Sequence, residues 1–352
     1  MNKKTKYAIN GAVWLGLGNG AINVINQLND KPGEKFNWRD FFIAIGKGAM
    51  VGGVGGFSIG AYVDYKNGLE KPINTDAILF ELVNKVKLNT SSVVYVELCQ
   101  KADWLVNALK SEFSEKLKSE PFRFGSTEKG TALKGSSDID ICLSFKPKSF
   151  SSTEEMSLAV FTFLKKYIGV NSIISVRHQS KSIGVICSIH GKECKIDFLP
   201  KKITNSRGNK SSGYLFVNGD GVFDKKSYTK TNVHLLNDIK LSETQKNILL
   251  ILKNWKVKEG LPIKSHLLQS LILDCYECNK GQIPRQFTHK IILVLKHIAK
   301  YLDTATIRSV ENTNNVLTDI PNSDKSTIIA ACKRIIEEYE YQPNSIIGSL
   351  KK

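Results

Sequence analysis

The sequence predicts an α+β protein: a small mixed sheet with helices, a C-terminal helical domain, and a glycine-rich helical hairpin in front of both. Three observations predict it. Between residues 120 and 200, short alternating apolar segments are separated by glycine turns, as in strands. From Leu241 onward the apolar residues recur at helical spacing. The first 65 residues carry little charge and much glycine, unlike all that follows. The expected domains are therefore a hairpin at 1–65, a linker and helix start at 66–94, a sheet-bearing domain at 95–240 and a helical domain at 241–345.

The N-terminal part contains two apolar runs. Residues 7–28 carry no charge, and residues 41–63 carry only Lys47. In the second run Gly48, Gly52, Gly56 and Gly60 share one helix face, as Ala12, Gly16 and Gly20 do in the first. Such small-residue stripes let helix backbones approach closely and are common where helices pair in lipid. Each run approaches the length that spans a bilayer. The basic MNKKTK start and the basic chain after Lys66 place both ends on the cytoplasmic side. Asn10, Asn19, Asn23, Asn26 and Gln27 line the first run with amides, which equally fits a soluble hairpin docked on the body or on an effector. GLGNG at 16–20 lacks the spacing of a dinucleotide-binding turn.

Through VELCQKADWLVNALKSEFSEKLKSE, Leu98, Leu105, Leu109, Phe113 and Leu117 predict one long helix. PFRFGS reads as a short strand ending in a glycine turn, and SDIDICLSF as a second strand. SSTEEMSLAVFTFLKKYIG opens on a Ser-x-x-Glu cap and continues as an amphipathic helix. SIISVRHQSKSIGVICSIHG and KECKIDFLP supply further strands. SETQKNILLILKNWKVKEG begins with another cap, and three more apolar helical runs complete the C-terminal half.

Lys plus Arg number 50 against 33 Asp plus Glu, a net charge of +17. Most of the excess falls after residue 200, which points to phosphate-rich partners, nucleotides or nucleic acid, or simply to a basic soluble surface. The seven cysteines are scattered through apolar segments, and the start of the chain does not read as a cleavable signal peptide, so reduced thiols in a cytoplasm are expected. Only Cys275 and Cys278 have metal-like spacing. With no second CxxC and only His266 and His289 as candidate partners, buried or surface thiols on a helix are the simpler reading.

The chemistry concentrates in GSTEKGTALKGSSDIDICLSF. Side chains alternate along a strand, so Asp138 and Asp140 point the same way. Adjacent carboxylates repel and are stable mainly with cations between them; hard oxygen ligands favour Mg²⁺ or Mn²⁺. A third carboxylate is expected on a neighbouring strand, and Asp197, flanked by Ile196 and Phe198, is the best candidate. Three carboxylates can hold two metal ions for in-line displacement at phosphorus. Gly125 and Ser126, separated from Asp138 by eleven residues, can offer backbone N–H groups and a hydroxyl to a terminal phosphate.

These residues resemble the signature of the polymerase-β-like nucleotidyltransferase superfamily, over roughly residues 95–345. The branch holding the bacterial cGAS/DncV-like enzymes, the oligoadenylate synthetases and the archaeal-type CCA-adding enzymes is the most similar. The resemblance implies that Asp138, Asp140 and Asp197 are catalytic metal ligands and that nucleoside triphosphates are substrates. ILKNWKVKEGLPIKSHLL resembles the helix and turn that grip the incoming triphosphate, which maps to Lys253 and Ser265. KTNVHLLND resembles the stretch before the helical half. VENTNNVLTDIP resembles a late loop near the cleft, with Glu311 where an aspartate is usual and without the usual prolines.

The resemblance leaves the acceptor hydroxyl open. The favoured expectation is a template-independent synthase that joins nucleoside triphosphates into a cyclic or short linear oligonucleotide, a second messenger in bacterial antiphage defence. An RNA end is the second acceptor, for which about 110 residues after Leu241 leave little room for tRNA-gripping domains. The third is a protein hydroxyl, with Tyr339 and Tyr341 at the edge of a disordered-looking tail, as in transferases of Hailong type. A catalytically inactive nucleotide-binding scaffold is the remaining alternative, and it has no use for clustered carboxylates. The basic stretch at 201–213, with Lys201, Lys202, Arg207 and Lys210, reads as a mobile loop able to meet nucleotides or nucleic acid.

Overall fold

A computed structural model describes residues 73–135, 138–204, 212–218, 227–308, 315, 317–318 and 320–351. The hairpin expected at 1–65, Arg207, Lys210 and Glu311 lie outside these residues. The chain divides into two units after Asn74, and every element below belongs to the second, Thr75–Lys352. No helix among the described residues is long and apolar enough to cross a membrane.

The described elements are helices α1 (Thr75–Val86) and α2 (Val93–Glu112), strand β1 (Phe122–Phe124), a single turn α3 (Gly125–Glu128), β2 (Ile139–Phe145), α4 (Thr153–Lys165), β3 (Ile173–His178), β4 (Ile183–Ile189), β5 (Lys192–Ile203), β6 (Gly213–Val217) and β7 (Ser227–Thr231). Six helices follow: α5 (Val233–Asp238), α6 (Glu243–Lys258), α7 (Ser265–Cys278), α8 (Phe287–Tyr301), α9 (Asn322–Tyr341) and α10 (Ser345–Lys351). The strands form one mixed sheet in the order β1-β2-β5-β4-β3, with β6 paired to the end of β5 and β7 to β6. β2 and β5 run parallel at its centre; the other pairings are antiparallel.

Alternation gives this sheet two unlike faces. Ile139, Ile141, Leu143 and Phe145 of β2, with Ile196 and Phe198 of β5, point into a core closed by α2 and α4. Asp140 and Asp197 necessarily occupy the opposite face. α2 presents Leu98, Ala102, Leu105 and Leu109 to that core, at helical spacing. It ends at Glu112, earlier than expected, because the next residues serve the sheet. Phe113 packs edge-on against Phe145 and Phe163, and the backbone N–H of Lys118 donates to Ser144 O at 2.8 Å. A continuing helix would forfeit both contacts.

Caps fix several helix starts. The Ser152 hydroxyl accepts from the Glu155 N–H at 3.0 Å, while the Glu155 carboxylate reaches back to Ser151 rather than to Ser152. At α6, Ser242 and Gln245 form a complete capping box. α6 is the central helix of the second core, burying Ile248 through Leu252 and Trp255. α1, within the stretch expected to be linker and helix start, packs into this helical core through Leu79, Leu82 and Val83. The Asp76 carboxylate caps α8 by accepting from Phe287 N at 2.9 Å and Thr288 N at 2.8 Å.

The chain's last residues are not the tail that was expected. Tyr339 and Tyr341 lie on α9, and α10 follows them. The Tyr339 ring is only half-exposed, edge-on to His289 with centroids 6.1 Å apart. The apolar positions Ile328, Cys332 and Ile335 anchor α9 in the helical core and so order this segment.

Candidate active site

The parallel pairing of β2 with β5 sets Asp140 directly beside Asp197. Asp138, two residues earlier, projects to the same side. All three carboxylates line a cleft of about 820 Å³, together with Gly125, Ser126, Lys253 and Ser265. The seven residues expected from sequence thus meet in one cavity, drawn from the sheet, the turn after β1 and two helices of the C-terminal half.

Gly125 is required where it stands. Its φ is +84°, and a Cβ there would lie 2.1 Å from Asp140 Oδ2. The turn therefore presses its backbone against the half-buried carboxylate, and it places Ser126 at the cleft wall. Behind Asp197, Gln179 donates its amide to Oδ1 at 3.1 Å and is itself oriented by the Ser182 hydroxyl at 2.8 Å. Gly184 makes room for that amide: a Cβ there would sit 2.3 Å from Gln179 Nε2.

Charge at the site is unbalanced. Burial, then Asp197, then Asp138 push the Asp140 carboxyl up to about 7. Asp197 is also raised, chiefly by burial, with Lys195 opposing. Lys195, two residues before Asp197 on β5 and hence on the same face, bridges the group. Its ammonium lies 2.8 Å from Asp197 Oδ2 and 3.2 Å from Asp138 Oδ2. A lysine cation thus sits where the carboxylates need positive charge.

That arrangement is also the test of a metal site. Among the described residues no group of three or more His, Cys, Asp or Glu side chains stands ready to hold a metal ion. At the triad the Lys195 ammonium takes up two of the carboxylates. The donor set nevertheless fits a hard divalent cation: three carboxylates on one face present oxygen ligands and already attract the Lys195 ammonium. Cys275 and Cys278 do not fit. Cys275 is buried with its thiol pushed up to about 12 by burial, while Cys278 is exposed on the same helix.

On the far wall, the Lys253 ammonium donates to Thr131 O at 2.6 Å. Burial, with Lys256 nearby, lowers its pKa to about 8, while Asp140 works in the opposite direction. Ser265 is the first residue of α7, whose N-terminus has no side-chain cap. A 14-residue helix aims its positive end there. Lys129, Lys181, Lys230, Lys256 and Lys264 also line the cleft, which makes its rim basic. Lys201 and Lys202, expected on a mobile loop, belong instead to β5, and Lys201 is fully buried.

Sequence reasoning missed three residues here. Lys195 was legible from the K-x-D alternation of β5. Gln179 carried no signal, because its contact depends on the turn between β3 and β4. Asn315 lines the cleft and braces its loop by accepting from Ile307 N at 3.0 Å and Leu317 N at 3.1 Å.

Residues 103–207 match the family described as "Nucleotidyltransferase domain", a span that contains all three aspartates. That span resembles a nucleotidyltransferase domain, and it is set in a polymerase-β-like α+β fold. More particularly, this is the fold of the solved CD-NTases. CdnC of E. coli MS115-1, solved with ATP, superposes with a TM-score of 0.59 at 19% identity, over 78% of this chain and 95% of that one. CdnG of Bradyrhizobium diazoefficiens, in complex with GTP, gives 0.55 at 10% identity, over 80% and 97%. CdnE of Elizabethkingia meningoseptica, a cyclic dinucleotide synthase solved with GTP and Apcpp, gives 0.54 at 15%, over 76% and 98%. No curated protein matches the chain in sequence.

Proposed function

We propose that the protein is a metal-dependent, template-independent nucleotidyltransferase. It joins nucleoside triphosphates into a cyclic or short linear oligonucleotide and releases pyrophosphate. The observation that carries this reading is the meeting of Asp138, Asp140 and Asp197 in one cleft with Ser126, Lys253 and the N-terminus of α7. The likeness to CD-NTases solved with ATP or GTP supports purine nucleotides as substrates and a signalling product, with antiphage defence as its setting.

In this reading Asp138, Asp140 and Asp197 would hold two Mg²⁺ or Mn²⁺ ions. Bound there, divalent cations supply Lewis-acid stabilisation of the triphosphate and of the attacking hydroxyl. Gly125 and Ser126 hold the terminal phosphate through backbone N–H groups and the hydroxyl. Lys253 and Ser265 grip the triphosphate from the helical side, where burial keeps the ammonium close to its titration point and so ready to respond to an added anion. The hydroxyl oxygen of an acceptor nucleotide bonds to the α-phosphorus, its proton passes to a carboxylate of the triad, and the bond to pyrophosphate breaks.

Incubation with Mg²⁺ and mixed nucleoside triphosphates should yield pyrophosphate and a product identifiable by mass spectrometry. Asp138→Ala or Asp140→Ala should abolish both while the circular dichroism stays that of the parent; undiminished turnover would refute the assignment. Product found covalently on the polypeptide would instead favour a protein acceptor.

A further inference from the structure

Lys195 is a charged residue at the triad that the proposed reaction does not use. Its stem runs along β5 from the position two before Asp197, and its ammonium bonds Asp197 Oδ2 at 2.8 Å and Asp138 Oδ2 at 3.2 Å. The lysine side chain is about one-third exposed, so it has room to withdraw towards solvent, whereas Asp197 is nearly buried. Charge-assisted bonds of this geometry use the carboxylate lone pairs that a divalent cation would need. Both ligands cannot be held at once.

We propose that Lys195 is a built-in counter-ion that holds the carboxylate cluster together before loading and must be displaced when a divalent cation binds. The inference rests on the reading of the triad as a metal site. It makes Lys195 a positioning residue with two opposed effects. Lys195 stabilises the metal-free fold by separating like charges, and it weakens metal affinity by competing for the same oxygens. The cleft thereby discriminates against loose, singly coordinated ions, since entry requires a cation that outbids two ion pairs.

The test compares the full-length protein with Lys195→Met, which keeps the aliphatic stem, and with Lys195→Arg, which keeps the charge. Lys195→Gln serves as a second neutral variant should the methionine form fold poorly. Free Mn²⁺ is followed by electron paramagnetic resonance, and melting is followed by circular dichroism in EDTA and in saturating Mg²⁺. The neutral variants should bind Mn²⁺ on the order of fivefold to tenfold more tightly than the parent, the scale set by partly exposed ion pairs. The arginine form should stay near the parent. In EDTA the neutral variants should melt lower than the parent, and saturating Mg²⁺ should close that gap. Equal or weaker Mn²⁺ binding by both neutral variants, or a melting gap that Mg²⁺ leaves unchanged, would overturn the inference while leaving the metal site intact. If Asp140→Asn and the parent bind Mn²⁺ alike, the metal-site reading itself fails, and the role of Lys195 falls with it.

Discussion

The two halves of the described unit treat a half-buried aspartate in opposite ways. In the helical half, burial works to raise the Asp76 carboxyl, but bonds from Thr288 and Phe287 outweigh it and hold the group below its ordinary value. In the sheet half, burial and two neighbouring carboxylates carry Asp140 to about 7. The first aspartate closes a helix and stabilises the fold. The second is held in an environment that disfavours its charge, which Lys195 and Lys253 offset only in part. The two aspartates thus shift in opposite senses, the one that caps a helix downwards and the one in the cleft upwards.

Replacing Asp140 should expose that division most sharply. Asp140→Asn should cut nucleotide transfer by on the order of 10³-fold, the scale of losing an essential charged group. In EDTA at pH 8 the same variant should be more stable than the parent, by about 2–4 kcal/mol. The parent's folded carboxyl titrates near 7 against an ordinary value of 3.8, so the folded state holds the proton more tightly. Its metal-free stability should therefore fall as pH rises from about 4 to about 7 and then level off. Chemical denaturation across that range checks this; a variant curve parallel to the parent's would contradict it.

Gly125→Ala attacks the same carboxylate from the backbone side. The left-handed φ and the 2.1 Å approach to Asp140 Oδ2 require the turn or the aspartate to move. Turnover should drop on the order of 10²-fold, the scale of misplacing a reacting group by about 1 Å. Lys253→Met should act on binding more than on chemistry, raising the KM for nucleoside triphosphate about tenfold by removing one buried cationic contact. Asp76→Ala should leave turnover unchanged and cost about 1 kcal/mol of stability at pH 7, the usual worth of a helix cap. Because the Asp76 pKa is lowered, that cost should be present above the ordinary carboxylate range. It should vanish as pH falls through the lowered value.

Much of this site was legible in the residues alone. Period-two alternation settles that Asp138 and Asp140 share a face and that Ile139 and Ile141 do not. The same rule places Lys195 beside Asp197, though nothing in sequence says that its ammonium turns towards the carboxylates. What could not be read locally depended on distant partners. α2 ends at Glu112 because Phe113 and Lys118 find the edge of β2, and α1 belongs to the helical core because of surfaces more than 150 residues away. The final tyrosines looked like a tail because their neighbours are polar. Ile328, Cys332 and Ile335, a few turns earlier, hold that helix down.

The parallel pairing of β2 with β5 also bears on the order of folding. Asp140 and Asp197 are far apart in sequence and become neighbours only when that non-local pair registers. Parallel pairings joined by long connections form late, after their loop-closure cost is met. Until then each carboxylate is separately solvated and repels no other. If the triad binds metal as proposed, that capacity should appear with the closing of the sheet rather than with the helices, and metal uptake would serve as a clock for the last non-local step of folding.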